Sequence, residues 1–172
     1  MIQIGPYDNN LSLAVFRALD PHDKIEAELT RGVATDHLSL FADWRNAQAH
    51  GVLSHILALD AAHGGAPFAV LVLGNTGQAG VAQAAMLACN HIKYRRALIH
   101  VAIAIKHEMP AFCTEVGIHR IEARSWAGHP TAAKFLTAIG FDFECNMPGF
   151  GGHGTASFNQ FAWTNPDLKG DH

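Results

Sequence analysis

Charge is scarce in this sequence: Asp, Glu, Lys and Arg make up 16% of the residues, and the formal net charge is −3. No block of Lys or Arg forms a stripe or a tail, so nothing would draw in a phosphate backbone, and nucleic acid is not expected as a partner. Long apolar runs are missing as well. The greasiest stretches, PFAVLVLG and ALIHVAIAI, fall well short of the roughly 18 residues that a membrane span needs, and no membrane helix is expected. Cysteine is limited to Cys89, Cys113 and Cys145, an odd number in no short-spaced pattern, and the opening MIQIGPYDNN has neither a basic start nor an apolar signal core. These absences predict a reduced, cytoplasmic setting. Internal repeats and low-complexity tracts are also lacking.

What the chain has is apolar material, 49% of its 172 residues, spread along the whole length. That suits a packed globule, and the length suits one domain, expected over residues 1–165 with a polar tail over 166–172. MIQIG alternates before a Gly-Pro break and predicts a first strand. LSLAVFRALD places Leu11, Val15 and Leu19 at helical spacing, with Asn10 as a cap. PHDKIEAELTRG has proline in its first turn and glycine at its end, the marks of a second helix. DHLSLFADWRNAQAHG is a third, started by Thr35 or Asp36.

SHILALDA, PFAVLVLG and VAQAAMLA, separated by two glycine-rich turns, predict an antiparallel meander. RRALIHVAIAIKHEM carries Leu98, Val101 and Ile105 on one side of a long helix that Pro110 is expected to end or kink, with AFCTEVG as a further helical turn or two closed by Gly117. HRIEARSW, PTAAKFLTAIG and FDFEC then read as strand, helix, strand. MPGFGGHG, with four glycines in eight residues, is expected to be a loop, and TASFNQFAW a last strand.

This order of elements resembles the GNAT superfamily of acyl-coenzyme A transferases, most sharply at RIEARSW, His129, PTAAKFLTAI and Gly140-Phe141. A narrower likeness is to GNAT-like proteins of tailed phages and prophages. It rests on FRALDPHDKIEAEL, in which an apolar helix meets Leu-x-x-x-Asp and then a glutamate, and on FECNMPGFGGHGTASFNQFAW. The resemblance implies an α/β (α+β) fold, a mixed and mostly antiparallel sheet flanked by helices. It also implies acetyl-CoA as co-substrate and an amine acceptor that attacks the thioester directly. The phage likeness implies the alternative of a non-catalytic GNAT-fold component, partnered by virion or host proteins and located in the virion. Exposed strand edges leave a homodimer open as well.

In this superfamily the coenzyme's pyrophosphate lies on backbone N–H groups where the fourth strand hands over to the long helix. Here that turn is ACNHIKYRRALIH, which has no glycine between Asn90 and Leu98. Lys93, Arg95, Arg96 and Ala97 are the candidate cofactor-binding residues, with a solvated first turn as the plain alternative. Family members commonly have Asn where His129 stands and, where Leu136 stands, a Tyr that protonates the leaving thiolate. Leu136 has no proton to give and reads as core, so the catalytic residues are unassigned; His129 and Tyr94 are candidate proton donors and Glu122 a candidate base. Glu122 is equally suited to a cross-strand ion pair with Arg120 or Arg124. Twelve histidines raise the question of a metal, but the pairs His50/His55, His100/His107 and His119/His129 match no ligand spacing, and none is expected.

Overall fold

The computed structural model of the chain describes residues 2–166; from residue 167 on, the expected polar tail lies outside the described residues. The elements in order are β1 (Ile2–Pro6), α1 (Asn9–Arg17), α2 (Pro21–Arg31), α3 (His37–Ala47), β2 (Gly51–Leu59), β3 (Pro67–Asn75), β4 (Val81–Ala88), α4 (Arg95–Val116), β5 (Arg120–Trp126), α5 (Ala132–Ala138), β6 (Asp142–Gly151) and β7 (Ala156–Thr164). They build a seven-stranded sheet of order β1-β2-β3-β4-β5-β7-β6. Only β4 and β5 run parallel; every other neighbouring pair is antiparallel. This is the mixed, mostly antiparallel, helix-flanked sheet that the resemblance implies. No helix among the described residues is long and apolar enough to cross a membrane.

Local chemistry sets the helix boundaries. Asp8, not Asn10, caps α1: its carboxylate accepts from the backbone N–H of Asn10 and Leu11 at 2.8 and 2.9 Å, which puts Asn10 inside the helix. Asp20 caps α2 ahead of Pro21, and Gly32 closes it with φ +71°, a conformation that glycine adopts without a Cβ penalty. Asp36 and Ser39 form a capping box on α3.

Of the two outcomes expected at Pro110, an end is not found: α4 runs on to Val116 and closes at Gly117, as AFCTEVG predicts. Its buried residues Val101, Ala102, Met109 and Cys113 lie on both sides of the proline, and their burial outweighs the roughly 3 kcal/mol that an interior proline costs. A second expectation is corrected further along the chain: MPGFGGHG is only partly a loop, because β6 extends to Gly151. β7 supplies the ladder, pairing Asn159 with Asn146, Phe158 with Met147 and, after an irregularity, Ala156 with Gly151. Gly149, at φ +68°, takes up the irregularity.

Met109 and Cys113 of α4, Phe135 of α5 and Ile139 at its C-cap pack with Leu73, Ile121, Ala123 and Phe161. Val15 and Phe16 of α1 and Leu40 of α3 pack with Ile56, Phe68, Val70 and Leu87. One local departure in the sheet positions the site. β4 and β5 pair only from Val81–Arg120 to Ala84–Ala123; beyond that point the two strands part and a gap opens between 85–88 and 124–126.

Candidate functional site

α2 lies across this gap. Asp23 and Glu26 stand one helical turn apart on the same face, and each bonds a different strand. Asp23 Oδ2 accepts from the backbone N–H of Ala88 on β4 at 2.6 Å, and Glu26 Oε2 from that of Trp126 on β5 at 2.8 Å. The two carboxylates thus replace, with side-chain acceptors, the ladder bonds that the parted strands do not make to each other.

Asp23 is also the centre of a histidine network. Its Oδ1 lies 2.9 Å from Nε2 of His129 and 3.0 Å from Nε2 of His91. Asp20 accepts from the backbone N–H of His91 at 3.0 Å and lies 3.0 Å from Nδ1 of His22. Burial works against the charge on Asp23, but the bonds from His129 and His91 outweigh it and hold the carboxyl below the usual carboxylate range. His91 shows the complementary balance: burial disfavours its charge, yet contact with Asp23 and the charge of Asp20 raise its pKa.

Asp23, His91 and His129 place one ligand atom each within 4.8 Å of the others, a spacing that a transition metal could bridge. The hydrogen bonds argue against that use. Nδ1 of His129 accepts from the backbone N–H of Ala132 at 3.0 Å and of Thr131 at 3.3 Å. That puts the ring proton on Nε2, the atom a metal would need, and directs it at Asp23. His129 therefore caps α5 with one nitrogen and binds α2 with the other.

Glu26 differs from Asp23 in having no ion-paired or hydrogen-bonded cation among the described residues; His129 acts on it only from a distance. Burial dominates, outweighs the Trp126 N–H bond and pushes its carboxyl up to about 7. Glu26 lines a cavity of about 880 Å³ whose walls come from both helical layers: Leu40 and Trp44 of α3, Arg95, Leu98 and Phe112 of α4, and Leu136 of α5. Ser125 also lines it. Its hydroxyl is buried and has no hydrogen-bond partner among the described residues, a state that costs about 1–3 kcal/mol unless a ligand or water satisfies it.

The cavity reaches the start of α4. There the backbone N–H of Lys93 and Tyr94 bond back to Asn90. Those of Arg96 and Ala97 have no acceptor among the described residues, so two donors stand free at the positive end of the helix dipole. Ala97 is 4% exposed and belongs to the core; its methyl is packed inward, which relieves the crowding that the missing glycines predict. Arg95 and Arg96 are exposed, and neither has a carboxylate partner among the described residues. Lys93 holds its ammonium 5.0 Å from the centre of the Tyr94 ring.

The other sequence candidates are distributed differently. Tyr94 is buried and stacks on Phe68 at 5.3 Å, outside the cavity lining. Glu122 is engaged with Arg120 at 3.0 Å and Arg124 at 4.0 Å; these pairs run along β5 rather than between strands, and Glu144 joins Arg120 from β6 at 2.6 Å. Leu136 packs against the core cluster of α4 and α5, as its sequence position suggests. His129 pairs with His91 and Asp23 rather than His119, whose backbone N–H bonds Gly80 O at 2.9 Å. Cys89 is a buried thiol, raised to about 11 by burial and then by the charge of Asp23.

Sequence reasoning passes over Asp23, Glu26, Asp20, His22 and His91. The available signal was the i, i+3 acidic pair of α2, which lies in the very FRALDPHDKIEAEL segment that carries the phage likeness.

No protein-family model matches the chain, and no curated protein matches it in sequence. Solved structures do resemble it. A GNAT-family acetyltransferase from Bacillus anthracis superposes with a TM-score of 0.72 at 11% identity, over 95% of each chain. A GNAT-superfamily phosphinothricin acetyltransferase from Sinorhizobium meliloti, in complex with acetyl-CoA, gives 0.71 at 11% identity over 99% of this chain and 92% of that one. The ribosomal-protein-S18-alanine N-acetyltransferase of Escherichia coli gives 0.67 at 11% identity over 100% and 98%. At such identities the likeness is one of fold, and the fold is that of the GNAT acetyltransferases.

Proposed function

We propose that this chain is an N-acyltransferase that moves an acetyl group from acetyl-CoA to a primary amine. The observation that carries the reading is the gap between β4 and β5, which opens into a cavity reaching the first turn of α4. In this reading the pyrophosphate sits on the N–H groups of Arg96 and Ala97, with the Arg95 and Arg96 side chains closing on its oxygens. The pantetheine arm enters the gap, and the Ser125 hydroxyl hydrogen-bonds the thioester end. Leu136 gives the departing thiolate no proton, so the reaction forgoes a factor of about 10²–10⁴ that a general acid typically supplies. A slow enzyme is the expectation.

Acetyl-CoA at 100 times its Kd should stabilise the fold by about 2.7 kcal/mol, a rise of roughly 5–10 °C for a chain of this size. Arg95→Ala with Arg96→Ala should weaken binding at least tenfold. No thermal shift at millimolar acetyl-CoA would remove the donor site from the account.

A second reading has one observation in its favour. Asp23 and Glu26 already occupy the strand-end N–H groups of Ala88 and Trp126, so the gap is partly closed by the chain's own side chains. A non-catalytic GNAT-fold component of phage or prophage origin would need no more than that. Recovery of the protein from purified particles, without acetyl-CoA binding, would favour it.

A further inference from the structure

We propose that the acceptor is a primary amine with an apolar body, and that Glu26 is the carboxylate that holds its ammonium and takes its proton. The inference rests on the acyltransferase reading for its chemistry but on separate observations for its site.

The first observation is the state of Glu26. Four carboxylates line the cavity: Asp23, Glu26, Asp43 and Glu108. Asp23 is matched by His91 and His129, Asp43 by Arg31 at 2.9 Å, and Glu108 is solvent-exposed. Glu26 is partly buried, and among the described residues only the Trp126 N–H donates to it, at Oε2; Oε1 has no partner. A carboxylate withdrawn from water without a directly paired counter-charge is costly, and a ligand cation is the partner that fits. Burial, which pushes this carboxyl to about 7, also makes it a competent proton acceptor near neutral pH.

The second observation is what surrounds it. On the side of the sheet where α2 and α3 lie, Ala27, Leu40, Trp44, Phe150 and Phe158 line the same cavity. Thr30, Arg31, Asp43 and Arg124 also line it. Thr30 bonds Glu26 O, however, Arg31 and Asp43 pair with each other and Arg124 donates to Gln160, so the walls suit an alkyl or aryl group better than a hydroxylated or charged one. Phe150 packs on the buried Phe158 with ring centres 5.3 Å apart and planes tilted by 55°, and the Arg124 guanidinium lies 5.2 Å from the Phe150 ring centre.

The step balances as follows. The ammonium gives one proton to Glu26. The neutral nitrogen adds to the thioester carbonyl carbon, a C–N bond forms, and the C–S bond breaks with its electron pair on sulfur. The second nitrogen proton goes to the thiolate, giving free CoA thiol, and Glu26 returns its proton to solvent with release of the amide.

The test is calorimetric and needs no donor: 2-phenylethylamine, 2-phenylethanol and ethanolamine are titrated into the wild-type protein, and 2-phenylethylamine into Glu26→Gln. The amine should bind at least tenfold more tightly than either the neutral alcohol or the polar amine, and the variant should lose at least tenfold. Gln keeps an acceptor for the Trp126 N–H, and the alcohol comparison uses the unaltered chain, so a folding defect cannot decide the outcome. Equal affinity for amine and alcohol, or for phenylethylamine and ethanolamine, would overturn the proposal. Acetyl-CoA binding measured alongside separates the two failures: donor binding without amine preference rejects this inference alone, and amine preference without donor binding rejects the transferase reading alone.

Discussion

Glu26→Gln should make the protein more stable, and increasingly so as pH rises. The folded-state pKa is raised from 4.5 to about 7 by burial, so between those values the folded chain binds a proton that the unfolded chain has released, and stability falls as pH climbs through that window. A shift of that size corresponds to roughly 3 kcal/mol at pH 8.5, where both states are ionised, and to less than about 1 kcal/mol at pH 5. Gln carries no charge to bury and still offers an oxygen to the Trp126 N–H, which Glu26 accepts at 2.8 Å. Asp23 and His129, the ionisable neighbours whose charges act on Glu26, are present in both proteins and largely cancel in the comparison. The gap between variant and wild type should therefore widen by roughly 2–3 kcal/mol between pH 5 and pH 8.5, about 5–10 °C in Tm. Thermal melts of both proteins across that range provide the measurement. A constant difference, or a variant that is less stable at pH 8.5, would show that Glu26 is ionised without strain and would refute the reasoning.

Two other variants probe the framework around the cavity. His129→Ala removes a buried donor to Asp23 and the side-chain cap of α5 together, and denaturant titration should show a loss of about 3–5 kcal/mol; a loss under about 1 kcal/mol would mean that the network does not hold α2 to α5. Gly32→Ala places a Cβ at φ +71° and 2.7 Å from Nε2 of His153, so a loss of about 2 kcal/mol or more is expected in the same assay. Unchanged stability there would mean that the His153 contact with the end of α2 is not maintained in solution.

The element order was legible because it is written in local chemistry. Proline at the start and glycine at the end of α2 set its limits, and the glycine-rich turns of the meander separate three apolar runs. Where local signals fell short, longer-range packing had the larger say: the core carries α4 through Pro110 without an end, and β7 draws 146–151 into β6. The site was less legible. Asp23, Glu26, His91 and His129 are drawn from three separate stretches of the chain, and only the parting of β4 from β5 brings them together. Nothing in the spacing of His91 or His129 announces a shared partner on α2. The free N–H groups at Arg96 and Ala97 belong to the backbone, so no side-chain pattern could mark them beyond the handover from strand to helix. Ala97 shows the limit from the other direction: the missing glycine reads as an obstacle until its methyl is seen to face the core.

The most direct test of the donor site is amide NMR of the uniformly ¹⁵N-labelled protein titrated with acetyl-CoA. The account predicts that the Arg96 and Ala97 amides move downfield and saturate together, ahead of distant surface residues. If both stay in place up to millimolar acetyl-CoA, or if only scattered surface amides respond, the first turn of α4 is not where a pyrophosphate binds and the transferase reading is contradicted.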